Sequence, residues 1–290
     1  MKTAGAALSG DERPRAVNYR HIYHAGNFAD VVKHIVLVLC LDYLQKKKAP
    51  LCIVDAHGGA GLYDLGSEEA AKTGEWQRGI GRLEGEIAAP GDLKLYLDLV
   101  HKDTAARRYP GSPLLIARRL RPQDRLIANE LHEPSFEALR SALSPFRNAR
   151  ATRMDAYECI RAHIPPKERR GLVLIDPPFE EKDEFETLAR QMHQWKKRWA
   201  SGVFLLWYPI KARSPAATLK VAAKELGLPR TWSLEALIFP PGRALTLNGC
   251  GVIVFNAPYT VPERIAALAP FLKDAMTLHE TACGWLVPGL

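Results

Sequence analysis

The chain has 290 residues, of which 47% are hydrophobic and 25% are charged. This composition is typical of a globular protein with one or two domains, and it excludes a fibre or a largely disordered chain. No apolar run approaches the roughly 20 residues of a membrane-spanning helix, and residues 1–16 lack the apolar segment of a signal peptide. We therefore expect a soluble, cytoplasmic protein without a membrane partner.

The formal net charge of +8 favours a polyanionic partner. Each basic cluster taken singly is more typical of a solvated surface or a helix C-terminus than of RNA contact, so only their sum indicates a nucleic acid. These clusters are 46–48, 107–108, 118–121, 169–170 and 196–198. The five cysteines are widely spaced and odd in number, which indicates reduced core thiols. His21 and His24 lack further residues at metal-ligand spacing, so we expect no metal site.

The chain begins with a segment, residues 1–16, whose lack of periodicity predicts a flexible tail. Residues 18–27 are rich in aromatic, histidine and amide side chains without an apolar face, which suggests contact with a ligand. Apolar residues at helical spacing then predict a helix over 28–48. The buried strand 51–55 that follows runs into the glycine-rich turn 56–61, where the backbone can approach a ligand closely.

The rest of the chain alternates between predicted helices and strands, which is the pattern of a mostly parallel α/β sheet. Further strands are predicted at 125–130, 149–154, 172–176, 202–209, 232–239 and 251–256, which makes seven with 51–55. Helices are predicted at 92–100, 114–120, 134–143, 157–164, 184–199, 215–226 and 265–276.

One connection in this pattern is too long for a simple β-α-β unit. Glu130 lies 75 positions after Asp55, whereas the acid that binds a ribose in such a unit follows the loop by about 20 residues. We therefore expect 64–110 to be an inserted small helical subdomain. The main domain would consist of 17–63 and 111–290.

Four successive strands end in an acidic residue: Asp55, Glu130, Asp155 and Asp176. Because parallel strands present their carboxyl ends at one edge of a sheet, these acids are expected to line one site. The alternative is that some of them are ordinary helix N-caps, where acids are frequent.

Asp176 opens the motif Asp176-Pro177-Pro178-Phe179 at the end of an apolar strand. The prolines stop the strand, and Pro178 has no N–H that would compete for the Pro177 carbonyl. The carboxylate and this carbonyl can accept both hydrogens of an aromatic amine, while Phe179 stacks on its ring. These groups suit methylation of the N6 amino group of adenine, although the motif alone is equally compatible with an ordinary turn.

The glycine-rich turn distinguishes between nucleotide cofactors. Its spacing is not that of a dinucleotide fingerprint, and Asp55 precedes the glycines where a nicotinamide oxidoreductase usually has no charge. A carboxylate at this position fits S-adenosylmethionine, whose ammonium and sulfonium groups are positive.

Together these motifs closely resemble the bacterial 23S ribosomal RNA adenine-N6-methyltransferases of the RlmJ type. The resemblance runs from about Asn18 to the C-terminus and rests on Tyr19-Arg20-His21, His24 to Asn27, Asp30 to His34, Asp55 to Gly61, Tyr109 to Pro113, Glu130-Leu131-His132, Asp176 to Phe179 and Leu206 to Pro209.

The resemblance implies a class I S-adenosylmethionine-dependent methyltransferase fold, with a seven-stranded, mostly parallel sheet whose last strand is antiparallel and with an inserted helical subdomain. It implies that Asp176 is the catalytic acceptor, assisted by Pro177 and Phe179, and that Tyr19 positions the substrate. The implied S-adenosylmethionine ligands are His34, His57, Ser112, Glu130, Asp155, Ala156 and Asp176. The implied partner is 23S rRNA, naked or in an early assembly intermediate, and the protein is expected to be a monomer.

This sequence departs from the family pattern in two motifs. Phe179 stands where Tyr is more usual, which keeps the stacking face and loses a hydroxyl, and Gly58 replaces a usual Ala. Residues 1–16 are additional to the pattern. Three alternatives remain open: a DNA adenine-N6 methyltransferase, a non-catalytic RNA-binding protein and a nicotinamide oxidoreductase.

Overall fold

A computed structural model describes residues 20–86, 89–211, 216–240 and 247–289. The predicted tail 1–16, Tyr19 and most of the loop before the last predicted strand lie outside these residues. Among the described residues, no helix combines the length and the apolar character that crossing a membrane requires.

All eight predicted helices occur among the described residues, and α2 is additional to them. The α-helices are α1 (Phe28–Gln45), α2 (Glu68–Thr73), α3 (Gly91–Thr104), α4 (Ser112–Arg119), α5 (Glu133–Leu143), α6 (Ala156–His163), α7 (Glu184–Trp199), α8 (Ala216–Leu226) and α9 (Val261–Ala275). Short 3₁₀ helices cover His21–Tyr23, Glu75–Arg78 and Ile80–Arg82.

The strands form an eight-stranded main sheet and a two-stranded ribbon. They are β1 (Cys52–Asp55), β2 (Leu62–Asp64), β3 (Arg108–Pro110), β4 (Arg125–Asn129), β5 (Ala149–Thr152), β6 (Gly171–Ile175), β7 (Val203–Lys211), β8 (Thr231–Leu237), β9 (Leu247–Phe255) and β10 (Glu280–Val287). The order across the main sheet is β10-β8-β9-β7-β6-β1-β4-β5, and β2 pairs with β3.

The directions of the strands agree with the predicted arrangement. Strands β5, β4, β1, β6 and β7 are parallel neighbours, and β9 is antiparallel to both β7 and β8. The expected antiparallel last strand is therefore confirmed as β9.

The main sheet contains one strand more than the seven that were predicted, and the ribbon of β2 and β3 adds two others. β10 extends the sheet beyond β8 in an antiparallel direction. Most of its side chains are exposed, so its sequence lacks the buried alternation that identifies a strand. Pairing with β8, rather than a local pattern, makes this segment a strand.

Helices cover both faces of the sheet and form two hydrophobic cores. Successive side chains of a strand point to opposite faces of the sheet. Leu172 and Leu174 of β6 therefore lie in the core with α1, whereas Val173 and Ile175 lie in the core with α6, α7 and α8. This accounts for the continuous apolar run of β6, which is buried on both faces.

Helix α1 is buried nearly all round because it lies between the sheet and other helices. Every residue from Phe28 to Leu41 is buried, and α1 contacts α3, α4 and α9 as well as β6 and β9. A helix enclosed in this way can place charged side chains deep inside the protein only when partners meet them.

The predicted insertion, 64–110, contributes to the same core as α1. Its helix α3 packs on α1, and its apolar residues Ile80, Leu93 and Tyr96 are buried in the core that contains α1. The division of the chain into a main domain and an inserted subdomain stays a prediction.

Gly171, the first residue of β6, provides a test of this packing. An added Cβ at Gly171 would lie 1.8 Å from the carbonyl oxygen of Cys52 in β1. We expect Gly171→Ala to lower the free energy of unfolding by about 2–3 kcal/mol, because the backbone of the sheet centre must shift. Urea unfolding would measure the change.

Gly284 in the edge strand β10 is the matched control. An added Cβ there meets no atom within 4 Å, so Gly284→Ala should change stability by less than about 0.5 kcal/mol. Equal effects of the two substitutions would contradict the close approach of β1 and β6.

Candidate active site

Asp176 lies directly after β6 and forms an ion pair with Lys33 from the first turns of α1. Oδ2 of Asp176 accepts from Nζ of Lys33, and the same ammonium donates to Oδ1 of Asp30 at 2.8 Å. The Lys33 side chain is only 4% exposed. Burial would lower the pKa of Lys33, but the carboxylates of Asp176 and Asp30 outweigh it and hold this pKa well above its usual range. Lys33 is therefore charged.

Asp30 connects this ion pair to the segment that precedes α1. Its Oδ2 accepts from the backbone N–H of Gly26 at 3.0 Å and lies 2.9 Å from Nε2 of His21. Burial opposes the charge of Asp30, but His21 and Lys33 hold its pKa well below its usual range. Asn27 caps α1 by accepting from the backbone N–H of Asp30 at 2.9 Å.

Sequence reasoning assigned no role to Asp30 or Lys33 beyond membership of a family motif. Their i,i+3 spacing on a helix was the available signal. Such a pair usually lies on a solvated surface, so the spacing does not distinguish a buried functional pair from an ordinary one.

His57 holds the backbone of Asp176. The N–H of Asp176 donates to Nδ1 of His57 at 3.3 Å. Burial lowers the pKa of His57 to about 4, so the ring is neutral and Nδ1 can accept. The strand ends β1 and β6 are thus joined at the candidate catalytic residue.

Phe179 has an unusual backbone conformation for a residue with a side chain. Its φ is +52°, and a conformation of this kind costs about 1–3 kcal/mol unless its surroundings stabilise it. The ring packs against Phe185 of α7 and Trp207 of β7, with centroids 4.8 Å and 5.9 Å away. These two neighbours of Phe179 had no individual role in the sequence analysis.

Asp55 is the most deeply buried acid of the site. It is 0% exposed, and neither carboxylate oxygen has a hydrogen-bond partner among the described residues. The hydroxyl of Ser112 and the backbone N–H of His57 face the group and favour its charge without making regular hydrogen bonds. Burial nevertheless raises the pKa of Asp55 to about 7.

The glycine turn after Asp55 brings Glu130 to the same place. Gly59 has a positive φ of +59°, and an added Cβ would lie 2.0 Å from the hydroxyl of Tyr63. The N–H of Gly59 donates to Oε2 of Glu130 at 2.9 Å, and that of His132 donates to Oε1 at 2.8 Å. Burial raises the pKa of Glu130, and these two bonds partly offset the effect.

Asp155 and Ala156 begin α6 at the next strand end. Asp155 is exposed and caps the helix by accepting from the N–H of Glu158 at 2.9 Å. Two exposed apolar residues flank these acids: Leu131 after Glu130, 47% exposed, and Met154 before Asp155, 37% exposed. Sequence reasoning gave neither of them a role, although apolar residues exposed beside acids suit an aromatic ligand.

His34 lies beneath the site and not on its surface. It is 1% exposed, its Nδ1 is 2.7 Å from the hydroxyl of Tyr109, and the two rings stack at 5.6 Å. Nε2 is buried without a hydrogen-bond partner among the described residues. Burial lowers the pKa of His34 to about 3, so the ring is neutral. Its predicted contact with the cofactor stays a prediction.

The structure therefore brings most of the predicted site residues to one sheet edge. Seven of them lie at or beside the carboxyl ends of β1, β4, β5 and β6. These are Asp55, His57, Ser112, Glu130, Asp155, Ala156 and Asp176. Within the described part of the chain, no group of three or more His, Cys, Asp or Glu side chains is arranged to hold a metal ion.

The sheet order, the antiparallel β9 and the glycine turn after β1 define a class I methyltransferase fold. Residues 48–287 match the family model described as "Ribosomal RNA large subunit methyltransferase D, RlmJ". The chain is 35% identical to the proteins named "Ribosomal RNA large subunit methyltransferase J" of Haemophilus influenzae and of Escherichia coli, over 94% of this chain and 99% of each relative. It therefore belongs to the RlmJ family of ribosomal RNA large subunit methyltransferases.

A solved structure has the same fold over nearly the whole chain. The protein LPL1258 from Legionella pneumophila superposes with a TM-score of 0.82 at 29% sequence identity, and the match covers 90% of this chain and 97% of that one.

The buried carboxyl of Asp55 predicts a pH dependence of stability in the protein without ligand. Its pKa is about 7 when folded, against an ordinary value of 3.8. Its contribution to stability is therefore present below about pH 4 and is lost as the pH rises through 7. Asp55→Asn should gain stability relative to the wild type over this interval, by up to about 4 kcal/mol.

Urea unfolding of both proteins at several pH values would measure this difference. Comparing the variant with the wild type cancels the opposite contributions of His34 and His57, which are neutral when buried. Asp98→Asn, at an exposed position on α3, should show no such trend. A constant difference between wild type and Asp55→Asn across the pH range would refute the buried, unpaired carboxyl.

Proposed function

We propose that this protein transfers the methyl group of S-adenosylmethionine to the N6 amino group of an adenine in 23S rRNA. The observation that carries the proposal is the carboxylate of Asp176, fixed at a strand end by Lys33 and followed by Pro177, Pro178 and Phe179. The membership of this protein in the RlmJ family supports ribosomal RNA as the substrate.

Asp176 and Pro177 suit the activation of a weak nucleophile. An adenine amino group must lose conjugation with its ring before its lone pair can attack a methyl carbon. Oδ2 of Asp176 is held by Lys33, and Oδ1 has no partner among the described residues. Oδ1 and the Pro177 carbonyl would accept the two N–H groups, which favours the tetrahedral nitrogen.

The charge around Asp176 still favours a developing cation, despite the adjacent lysine. Lys33 alone would oppose the positive charge that develops on the attacking nitrogen. Asp30 shares the same ammonium, so the group of Asp30, Lys33 and Asp176 has a net charge of −1. The carboxylate is therefore fixed in place while the site stays negative where a cation forms.

The residues around the glycine turn fit S-adenosylmethionine, which when bound supplies an electrophilic methyl group on a sulfonium. Within the described part of the chain, both buried oxygens of Asp55 lack a hydrogen-bond partner, so a nearby cation would stabilise its charged form. Each oxygen of Glu130 accepts one backbone N–H and retains a lone pair for a ribose hydroxyl. Leu131 and Met154 would flank the adenine ring beside Asp155 and Ala156. His34, His57 and Ser112 complete the proposed binding set.

Phe179 would hold the target base by stacking. Its ring is half-buried against Phe185 and Trp207, so these contacts fix its plane before the RNA arrives. A stacked aromatic contributes about 1–3 kcal/mol per base to single-strand binding. We assign Tyr19, which lies outside the described residues, to substrate positioning.

Asp176→Asn should reduce kcat by at least about 100-fold, because the amide lacks the negative charge that stabilises the developing cation. The affinity for S-adenosylmethionine should stay within about threefold of wild type, since Asp55 and Glu130 remain. Single-turnover methyl transfer and calorimetric binding would measure the two quantities.

The neighbouring acid Glu180 is exposed, so Glu180→Gln is the matched control and should retain activity. Full activity of Asp176→Asn would exclude Asp176 as the catalytic acceptor. It would leave a site that binds the cofactor but reacts through another group.

Tritium transfer from S-adenosylmethionine to protein-free 23S rRNA, with duplex DNA as the competing substrate, would test the proposed reaction. We expect label on the rRNA, and N6-methyladenosine after digestion to nucleosides. Label on DNA alone would indicate a DNA adenine methyltransferase, and a different labelled nucleoside would refute attack by N6. If the protein binds naked rRNA or large-subunit assembly intermediates without methyl transfer, it is a non-catalytic RNA-binding protein.

A further inference from the structure

Two groups of exposed basic side chains lie at opposite ends of α1. Lys46, Lys47 and Lys48 follow its C-terminus, next to the start of β1. The second group, which we call the insert rim, consists of Lys72, Arg78 and Arg82 on α2 and the two 3₁₀ helices of the insertion. The three are dispersed in the sequence, so they did not stand out there as a basic cluster.

The insert rim is fastened to the segment that precedes α1. The N–H of Ile80 donates to the carbonyl of Gly26 at 2.9 Å. Gly79 lies so close that an added Cβ would be 2.2 Å from the same carbonyl oxygen. Glu75 accepts from Nδ2 of Asn27 at 2.9 Å. These contacts fix the 3₁₀ helices against the beginning of α1.

A short series of contacts connects the insert rim to Asp176. Arg78 is near enough to Glu75 to help lower its pKa, with the hydrogen bonds from His24 and Asn27, against the opposing effect of burial. Asn27 caps α1 at Asp30, and Asp30 shares Lys33 with Asp176. Arg78 therefore lies near the N-terminal end of α1, the end that contacts Asp176, and Arg82 ends the 3₁₀ helix that is held to Gly26 through Ile80.

The cations of the insert rim are available to a ligand. Lys72, Arg78 and Arg82 are exposed and form no ion pair among the residues that the structure describes. Other arginines have structural partners: Arg121 binds Asp124 and the carbonyls at the end of α1, and Arg264 joins Asp42 to Asp92. Unpaired guanidinium groups beside a site for a nucleic acid base suit phosphate oxygens.

We propose that the insert rim contacts the phosphate backbone of the RNA next to the adenine that enters the active site. This inference rests on the proposed function and adds to it the surface that positions the RNA. Phosphate contacts of this kind carry no sequence information, but they fix the register of the nucleic acid. The lysines after α1 lie about 20 Å further along the helix axis than Lys33, which places them away from RNA held at Asp176.

Equilibrium binding of in vitro transcribed 23S rRNA over a range of salt concentrations would test the surface. Arg78→Gln/Arg82→Gln should raise the Kd about tenfold near physiological salt and reduce the slope of log K against log salt by about 1.4–1.8, because two phosphate contacts are lost. Arg78→Lys/Arg82→Lys should keep most of the slope. Cofactor affinity and the urea midpoint should be unchanged in all variants.

Lys47→Gln/Lys48→Gln removes the same charge at the opposite end of α1 and is the matched control. Wild-type Kd and slope in Arg78→Gln/Arg82→Gln, or an equal loss in the lysine control, would overturn the inference. Binding is measured without turnover, so the two proposals can fail separately. If the wild-type protein binds rRNA through the insert rim but never methylates it, only the proposed function is refuted. Methylation with an unchanged KM in Arg78→Gln/Arg82→Gln would refute the insert rim alone.

Discussion

The site depends on the ion pairs that the buried ammonium of Lys33 forms with Asp30 and Asp176. A charge taken out of water is tolerated only when paired, and loss of one partner from such a group typically costs about 3–5 kcal/mol. The group therefore ties the first turns of α1 to the end of β6. Since α1 is enclosed by helices and sheet, the position of the Asp176 carboxylate is determined by the packing of the whole protein as well as by its own strand.

The acids at the sheet edge differ in the groups that stabilise their charges, and they therefore suit different parts of a ligand. Asp176 faces a lysine, and Glu130 accepts backbone N–H groups. Asp155 caps a helix in contact with water. Asp55 has no hydrogen-bond partner among the described residues, which raises its pKa to about 7. A cationic ligand is thus favoured next to Asp55, whereas hydrogen-bond donors suit the other three.

The insertion contributes to the site through support rather than through the predicted catalytic residues. Its helix α3 covers α1, and Tyr109 at its end meets His34 inside the core. Its 3₁₀ helices hold Gly26 and Asn27, which begin α1. The predicted insertion, residues 64–110, therefore stabilises the helix that carries Lys33.

The sequence by itself determined the α/β class, most helix and strand boundaries, the glycine turn and the four strand-end acids. These features rest on local periodicity, on prolines and on the rule that parallel strands share an edge. Tertiary structure decided the pairing of Lys33 with Asp176, the burial of His34, the aromatic support of Phe179 and the edge strand β10. Each of these depends on contacts between residues distant in sequence, and a local pattern cannot specify which partners meet or how far water is excluded from them.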